Sequence, residues 1–191
     1  MKPPSRPLPH EVRIIGGAFR RARLPVADAP GLRPTPDRVR ETLFNWLGQN
    51  LSGWQVADAF AGTGALGLEA ASRGAASVLL VEQHPRLAQA LAAAKERLGA
   101  AAVRVERGDG VAALARLAPG SLDLVLLDPP FDAPDLAAAA LAAAARAVRP
   151  GGFVYLEAPS PCPPETLAAH GLAAHRHLKA GAVVAQLLVK T

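Results

Sequence analysis

The chain has 191 residues, half of them apolar, with 21 Lys plus Arg against 16 Asp plus Glu and a single Cys. That length makes one domain with at most a small appendage, and so apolar a chain is not disordered. The lone Cys162 excludes a disulfide scaffold and every multi-Cys zinc motif. No run approaches the roughly 20 apolar residues of a membrane span. The start, MKPPSRPLPHEVR, has no apolar h-region, so a cytoplasmic protein is expected.

The charge is unevenly placed. Residues 1–46 hold nine Lys or Arg against four Asp or Glu, whereas residues 47–191 hold twelve of each. The lysines are Lys2, Lys95, Lys179 and Lys190; every other basic residue is Arg, whose planar fork suits phosphate. A localised basic face on a neutral body reads as a nucleic-acid contact surface. A solvated arm, or Arg enrichment from biased genome composition, gives the same pattern.

Val12–Gly16 and Ala18–Leu24 read as two short strands around Gly16-Gly17, a hairpin. Pro25–Pro34 reads as a loop. Thr35 is the expected N-cap of a helix over residues 35–50, with Pro36 at its first position. Val39, Leu43, Trp46 and Leu47 give that helix its apolar face. After Gly53 the rhythm changes. Gln55–Phe60, Ser77–Glu82, Ala102–Glu106, Leu122–Asp128 and Gly152–Glu157 read as strands. Ala65–Arg73, Pro85–Leu98, Gly110–Leu117 and Pro134–Val148 read as the helices between them. Such alternation predicts an α/β fold with a parallel sheet and helices on both faces. Gly171–His177 and Ala182–Val189 are separated by only Leu178–Gly181, too short for a helical crossover, so they pair antiparallel. The expected organisation is a basic extension over residues 1–50, hairpin and helix packed on the core, and a main domain over residues 51–191.

The turn after the first central strand runs Asp58-Ala59-Phe60-Ala61-Gly62-Thr63-Gly64-Ala65-Leu66-Gly67. Gly62, Gly64 and Gly67 match G-x-G-x-x-G in a strand-turn-helix context, which favours a nucleotide-type ligand over a turn used only for tight packing. Phe60, Ala61 and Thr63 lie within the turn. Glu82, followed by Gln83, ends the second strand, where a doubly wound fold places an acid against ribose hydroxyls. Asp58 selects the ligand. A carboxylate there repels a pyrophosphate but suits S-adenosylmethionine, whose ammonium and sulfonium are both cationic. Gly108-Asp109 adds an acid at the same edge, placed to accept from an adenine amino group and also to cap the next helix.

Asp128-Pro129-Pro130-Phe131 leaves the fourth strand at the sheet's carboxyl edge. Two prolines fix the backbone and present one acid and one ring beside the ligand. This suits methylation of an exocyclic base amine, a poor nucleophile because its lone pair is delocalised into the ring. Asp128 and the Pro129 carbonyl accept its two N–H bonds, and Phe131 stacks on the extruded base. An Asp-Pro-Pro turn leaving a strand is the bland alternative. Cys162 lies between prolines away from this motif, which argues against carbon methylation by a Cys nucleophile. His170, His175 and His177 have no partners of metal-ligand type, so no metal is expected.

With these motifs in place, the chain resembles the bacterial RsmD-type 16S ribosomal RNA (guanine-N2)-methyltransferases, of the Rossmann-like class I S-adenosylmethionine-dependent fold. The resemblance rests on Arg13-Ile14-Ile15-Gly16-Gly17, Gly31-Leu32-Arg33-Pro34-Thr35 and Asp37-Arg38-Val39-Arg40-Glu41-Thr42-Leu43-Phe44-Asn45-Trp46-Leu47, together with the Asp58–Gly64 and Asp128–Phe131 motifs. It covers nearly the full length; the Pro- and Ala-rich tail after Glu157 departs most. The resemblance implies a mostly parallel seven-stranded sheet whose last strand is inserted antiparallel. It implies that the N-terminus of the Thr35 helix receives the cofactor's methionine carboxylate. It makes Arg20, Arg21, Arg23, Arg33, Arg38 and Arg40 candidates for RNA phosphate contacts, although any of them can instead pair internally with Asp37 or Glu41. The implied activity is methyl transfer to guanine N2 of 16S ribosomal RNA. So small a chain has little surface for reading sequence, and a monomer acting on the small subunit or an assembly intermediate is expected. Adenine-N6 methylation of RNA or DNA and a non-catalytic RNA-binding assembly factor are the alternatives.

Overall fold

Runs of Val and Leu too apolar to face water form the centre of the protein. The computed structural model describes residues 11–26 and 35–191. β3 (Gln55–Asp58), β4 (Ser77–Glu82), β5 (Val103–Arg107), β6 (Leu122–Leu127) and β7 (Val148–Ala158) run parallel. α2 (Ala65–Ser72), α3 (Pro85–Leu98), α4 (Gly110–Arg116) and α5 (Pro134–Ala147) connect them. α6 (Pro164–Ala169) then leads into β8 (Leu172–Ala180) and β9 (Val183–Lys190). The order across the sheet is β5-β4-β3-β6-β7-β9-β8, and β9 is inserted antiparallel to both its neighbours. The winding reverses between β3 and β6. Open α/β sheets bind ligands beyond the strand ends at such a switch point.

Each face of the sheet has its own core. Val56, Leu80, Leu124, Leu126, Tyr155 and Leu187 pack with α1 (Asp37–Trp46), α2 and α3. Ala57, Leu79, Val125, Leu127, Val154 and Leu156 pack with α4, α5 and α6. Ile14, Leu24, Val39, Leu43, Phe44 and Leu47 belong to the first of these cores. The described part of the N-terminal extension thus shares the interior of the main domain.

The N-terminal elements are shorter than their sequence suggests. β1 (Glu11–Arg13) and β2 (Arg23–Pro25) pair antiparallel over three residues each. The backbone between them turns away to α2: Ala18 N–H donates to the Ser72 carbonyl at 2.7 Å and Phe19 N–H to Ser72 Oγ at 2.8 Å. At Gly17 φ is +76°, and a Cβ would stand 1.8 Å from the Ser72 carbonyl oxygen, so only glycine fits this approach. α1 is capped by Pro36 rather than Thr35, and it ends at Trp46 because Gly48 and Gln49 take positive φ. At the other end of the chain, β7 starts at Val148, upstream of Pro150-Gly151-Gly152, with a register irregularity against β6. α6 begins within a proline cluster that reads as loop.

Glu69, on α2, fastens the hairpin to the domain. Its side chain is fully buried and accepts from Ile15 N–H and Gly16 N–H, both at 2.8 Å, from Arg40 Nη1 at 3.4 Å and from Arg73 Nε at 2.9 Å. Arg40 also donates to Asp37 at 2.6 Å and to the carbonyls of Arg13 and Thr35. Arg73 lies over the Phe44 ring, 4.7 Å from its centre, and donates to Gln49. Each buried charge here has opposite charge and hydrogen-bond partners, the condition under which burial is tolerated.

Candidate active site

The β3–α2 turn forms the floor of the site. Gly64 takes φ +80° at the start of α2. A Cβ there would meet Leu91 at 2.6 Å, and one on Gly67 would meet Leu80 at 2.2 Å and Asp58 Oδ2 at 3.1 Å. These glycines let the backbone close tightly around the end of β3. Gly110, which the sequence marks only as a helix start, has the same role: its Cβ would lie 2.0 Å from the Ala59 carbonyl oxygen.

Glu82 ties this turn to the end of β4. Its Oε2 accepts from Gly62 N–H at 2.9 Å and its Oε1 from His84 N–H at 2.7 Å. Ala61 N–H donates to the Val81 carbonyl, and Gly108 N–H to the Glu82 carbonyl. Asp109 is exposed and caps α4 by accepting from Ala112 N–H at 2.7 Å. Phe60 is half-buried, Thr63 Oγ1 accepts from Ala65 N–H, and Gln83 is exposed. All the residues expected around a nucleoside therefore meet at the ends of β3, β4 and β5.

Three acids line the next part of the edge. Asp58 is 1% exposed; its Oδ2 accepts from Gly67 N–H at 3.0 Å, and its Oδ1 has no partner. Burial pushes its carboxyl up to about 7, against the pull of backbone N–H groups, and the neighbouring Glu82 and Glu157 add to the rise. Asp128 follows β6 directly and is half-buried, with Pro129 buried behind it. Its carboxyl is raised well above the usual range by burial first, then by Glu157 and Asp58.

Glu157 was not singled out from the sequence. It is 4% exposed, and its Oε1 accepts from Thr35 Oγ1 at 2.7 Å and from Tyr155 OH at 2.9 Å. Burial raises its carboxyl while these two hydroxyls oppose the rise. Register explains the cluster. Asp58 pairs with Leu126, Leu126 with Tyr155, and Leu127 with Leu156. Side chains alternate along strands, so Asp58, Asp128, Tyr155 and Glu157 share one face, and Asp128 continues β6 to a place beside Glu157. No Lys, Arg or His among the described residues pairs with any of the three acids. Phe131, at 37%, is the only large hydrophobic side chain exposed among the described residues.

Two expectations need correction. Thr35 is not the helix cap; its hydroxyl is committed to Glu157. Arg40 cannot face RNA, because its guanidinium is wholly buried against Glu69 and Asp37. Arg20, Arg21 and Arg38 are exposed, Arg23 is exposed and paired with Glu11 at 2.9 Å, and Arg33 lies outside the described residues. Among the described residues no group of side chains forms a metal site, and no helix is long and apolar enough to cross a membrane.

Comparison with known proteins agrees with this architecture. A family model described as conserved hypothetical protein 95 matches residues 12–189. Ribosomal RNA small subunit methyltransferase D of Escherichia coli (strain K12) is 47% identical over 131 residues, 69% of this chain and 66% of that protein. The Haemophilus influenzae protein of the same name is 41% identical over 63% of this chain and 64% of its own. The alignments thus span just under two thirds of these curated relatives. The solved structure of Escherichia coli yhhF superposes with a TM-score of 0.80 at 35% identity, covering 94% of this chain and 98% of that one. The chain has the class I methyltransferase fold and belongs to the family described as conserved hypothetical protein 95.

Proposed function

We propose that this protein transfers a methyl group from S-adenosylmethionine to the exocyclic N2 of a guanine in small-subunit (16S) ribosomal RNA. The observation that carries the reading is the cluster of three carboxylates, Asp58 and Glu157 buried and Asp128 half-buried, with no cation of the protein's own among the described residues, beside a glycine turn and the Asp-Pro-Pro-Phe segment. The names of the relatives supply the RNA and the reaction class.

The residues present fit that cofactor. Asp58 Oδ1 is a buried acceptor in want of a donor, as an ammonium is. Glu82 would hold the ribose hydroxyls and Asp109 the adenine amino group, and the Phe60–Gly64 turn would wrap the nucleoside. When bound, the cofactor supplies an electrophilic methyl on a sulfonium. The protein's part is positioning and electrostatics. Asp128 and the Pro129 carbonyl accept the two N–H bonds of the target amine and aim its lone pair at the methyl. Asp128 would take the proton that the amine gives up on methylation. Phe131 stacks on the extruded guanine. Arg20, Arg21, Arg23 and Arg38 hold phosphates of the surrounding RNA, with Arg33 as a further candidate.

The substrate is the small subunit or an assembly intermediate, because so small a chain reads folded RNA by shape; the protein is taken to act in the cytoplasm as a monomer. Incubation with labelled S-adenosylmethionine and unmodified small subunits, followed by nucleoside digestion, tests this. N2-methylguanosine is expected. Methyladenosine would overturn the substrate, and no label would overturn the activity.

A further inference from the structure

Asp128 and Glu157 sit next to each other at the ends of neighbouring parallel strands, with Asp58 the third acid on that face. Both hydroxyls that reach the pair, Thr35 and Tyr155, donate to the same atom, Glu157 Oε1. No hydrogen-bond donor of the described residues reaches Asp128. The two carboxyls therefore differ: Glu157 is buried and hydrogen-bonded as a carboxylate, and Asp128 is half-buried with no donor from the described residues. Two adjacent carboxylates, Glu157 buried and Asp128 half-buried, repel each other with no cation between them, so ionising both is disfavoured and the pair retains one proton.

Resting on the methyltransferase reading, we infer that Glu157 is a positioning residue of the reaction: with Thr35 and Tyr155 it places a shared proton on Asp128, and the cationic cofactor displaces that proton on binding. Asp128 then becomes an ionised acceptor only once the methyl donor is in place. The free protein carries one negative charge on the pair; on binding, the proton leaves to solvent and the ligand's positive charge takes its place. The charged groups facing the pair are Asp58 from β3, with Glu82 of β4 beyond it, and Tyr155 from β7. They are all acidic, so none supplies a substitute cation. Glu157 also joins the start of α1 to the catalytic edge across 122 residues of sequence.

Calorimetric titration of the full chain with S-adenosylmethionine, near neutral pH in buffers of different ionisation enthalpy, counts the protons released. Wild-type protein is expected to release a proton, and its affinity to rise with pH up to neutrality. In Glu157→Gln the amide oxygen still accepts both hydroxyls but carries no charge, so Asp128 ionises before the ligand arrives. At least half of the release should be lost, the remainder coming from Asp58. No release by wild-type protein, or equal release by Glu157→Gln, would overturn the inference even with binding intact. Absence of binding to wild-type protein would overturn the methyltransferase reading itself.

Discussion

Glu69 and Asp58 are both buried carboxylates bonded to or borne by α2, yet their surroundings are opposite. Glu69 receives two backbone N–H groups and two guanidiniums. Asp58 receives the Gly67 N–H on one oxygen, its other oxygen has no close donor, and the charges that act on it, Glu82 and Glu157, are both acidic. The first cluster is complete within the protein and costs the fold little beyond desolvation. The second is a surplus of negative charge that the fold holds at a cost. Buried charge that the chain neutralises itself serves architecture; buried charge left over marks where a ligand cation belongs.

The comparison breaks most directly at Asp128. Asp128→Ala removes the bare acceptor beside the transferred group, and transfer to small subunits should fall by about 100-fold or more, measured as kcat with both substrates saturating. Full activity would return Asp128 to the role of a turn residue. Glu69→Ala tests the other side. It leaves Arg73 buried without a carboxylate and Arg40 with Asp37 alone, and should cost about 3–5 kcal/mol, the usual loss when one partner of a buried pair is removed. At about 2–4 °C per kcal/mol for a chain of this size, thermal unfolding should shift down by roughly 10 °C. S-adenosylmethionine affinity below the transition should not change.

Asp58→Asn sharpens the contrast because stability and binding should move in opposite directions. Folding raises the Asp58 carboxyl from 3.8 to about 7. Through that window the folded state keeps a proton that the unfolded chain has lost, so stability falls as pH rises from about 4 to about 7. Asn keeps the acceptor for Gly67 and never ionises. The free variant should unfold several degrees above wild-type protein at pH 8 and no differently at pH 4, while S-adenosylmethionine binding is lost. Equal melting temperatures at both pH values would show that Asp58 is not held against its ionisation.

Much of the fold was legible from pattern alone, and the reasons are local. β4 is a run of Val and Leu, and α3 opens on Pro85 and closes on Gly99, so both match their expected bounds. Asp58 with its glycines and Asp128 with its prolines were visible because each motif is contiguous. Glu157 was not, because its meaning comes from register: it matters only once β7 lies beside β6. α6 was hidden because a proline cluster reads as loop, although Pro164 is also a favoured helix start. The N-terminal hairpin is shorter than its pattern predicts because Ser72 and Glu69, more than fifty residues away, take the hydrogen bonds its middle would otherwise make.

Arg40 shows the limit of charge counting, and it supplies the smallest and most selective of the tests. Composition puts Arg38 and Arg40 in one basic arm. Spacing separates them, for Arg40 stands one turn before Phe44, on the apolar stripe that also carries Val39 and Leu43. Arg38 is exposed and free to meet a phosphate, whereas Arg40 is enclosed by Glu69, Asp37 and two carbonyls. Each lost phosphate contact lowers the steepness of log affinity against log salt by about 1. Arg38→Ala, Arg20→Ala and Arg21→Ala should each flatten that slope without changing thermal stability. Arg40→Ala should do the reverse, lowering the melting temperature and leaving the slope as it was. A flattened slope for Arg40→Ala in folded protein would mean that the hairpin it anchors, and not only the exposed arginines, sets the RNA-facing charge.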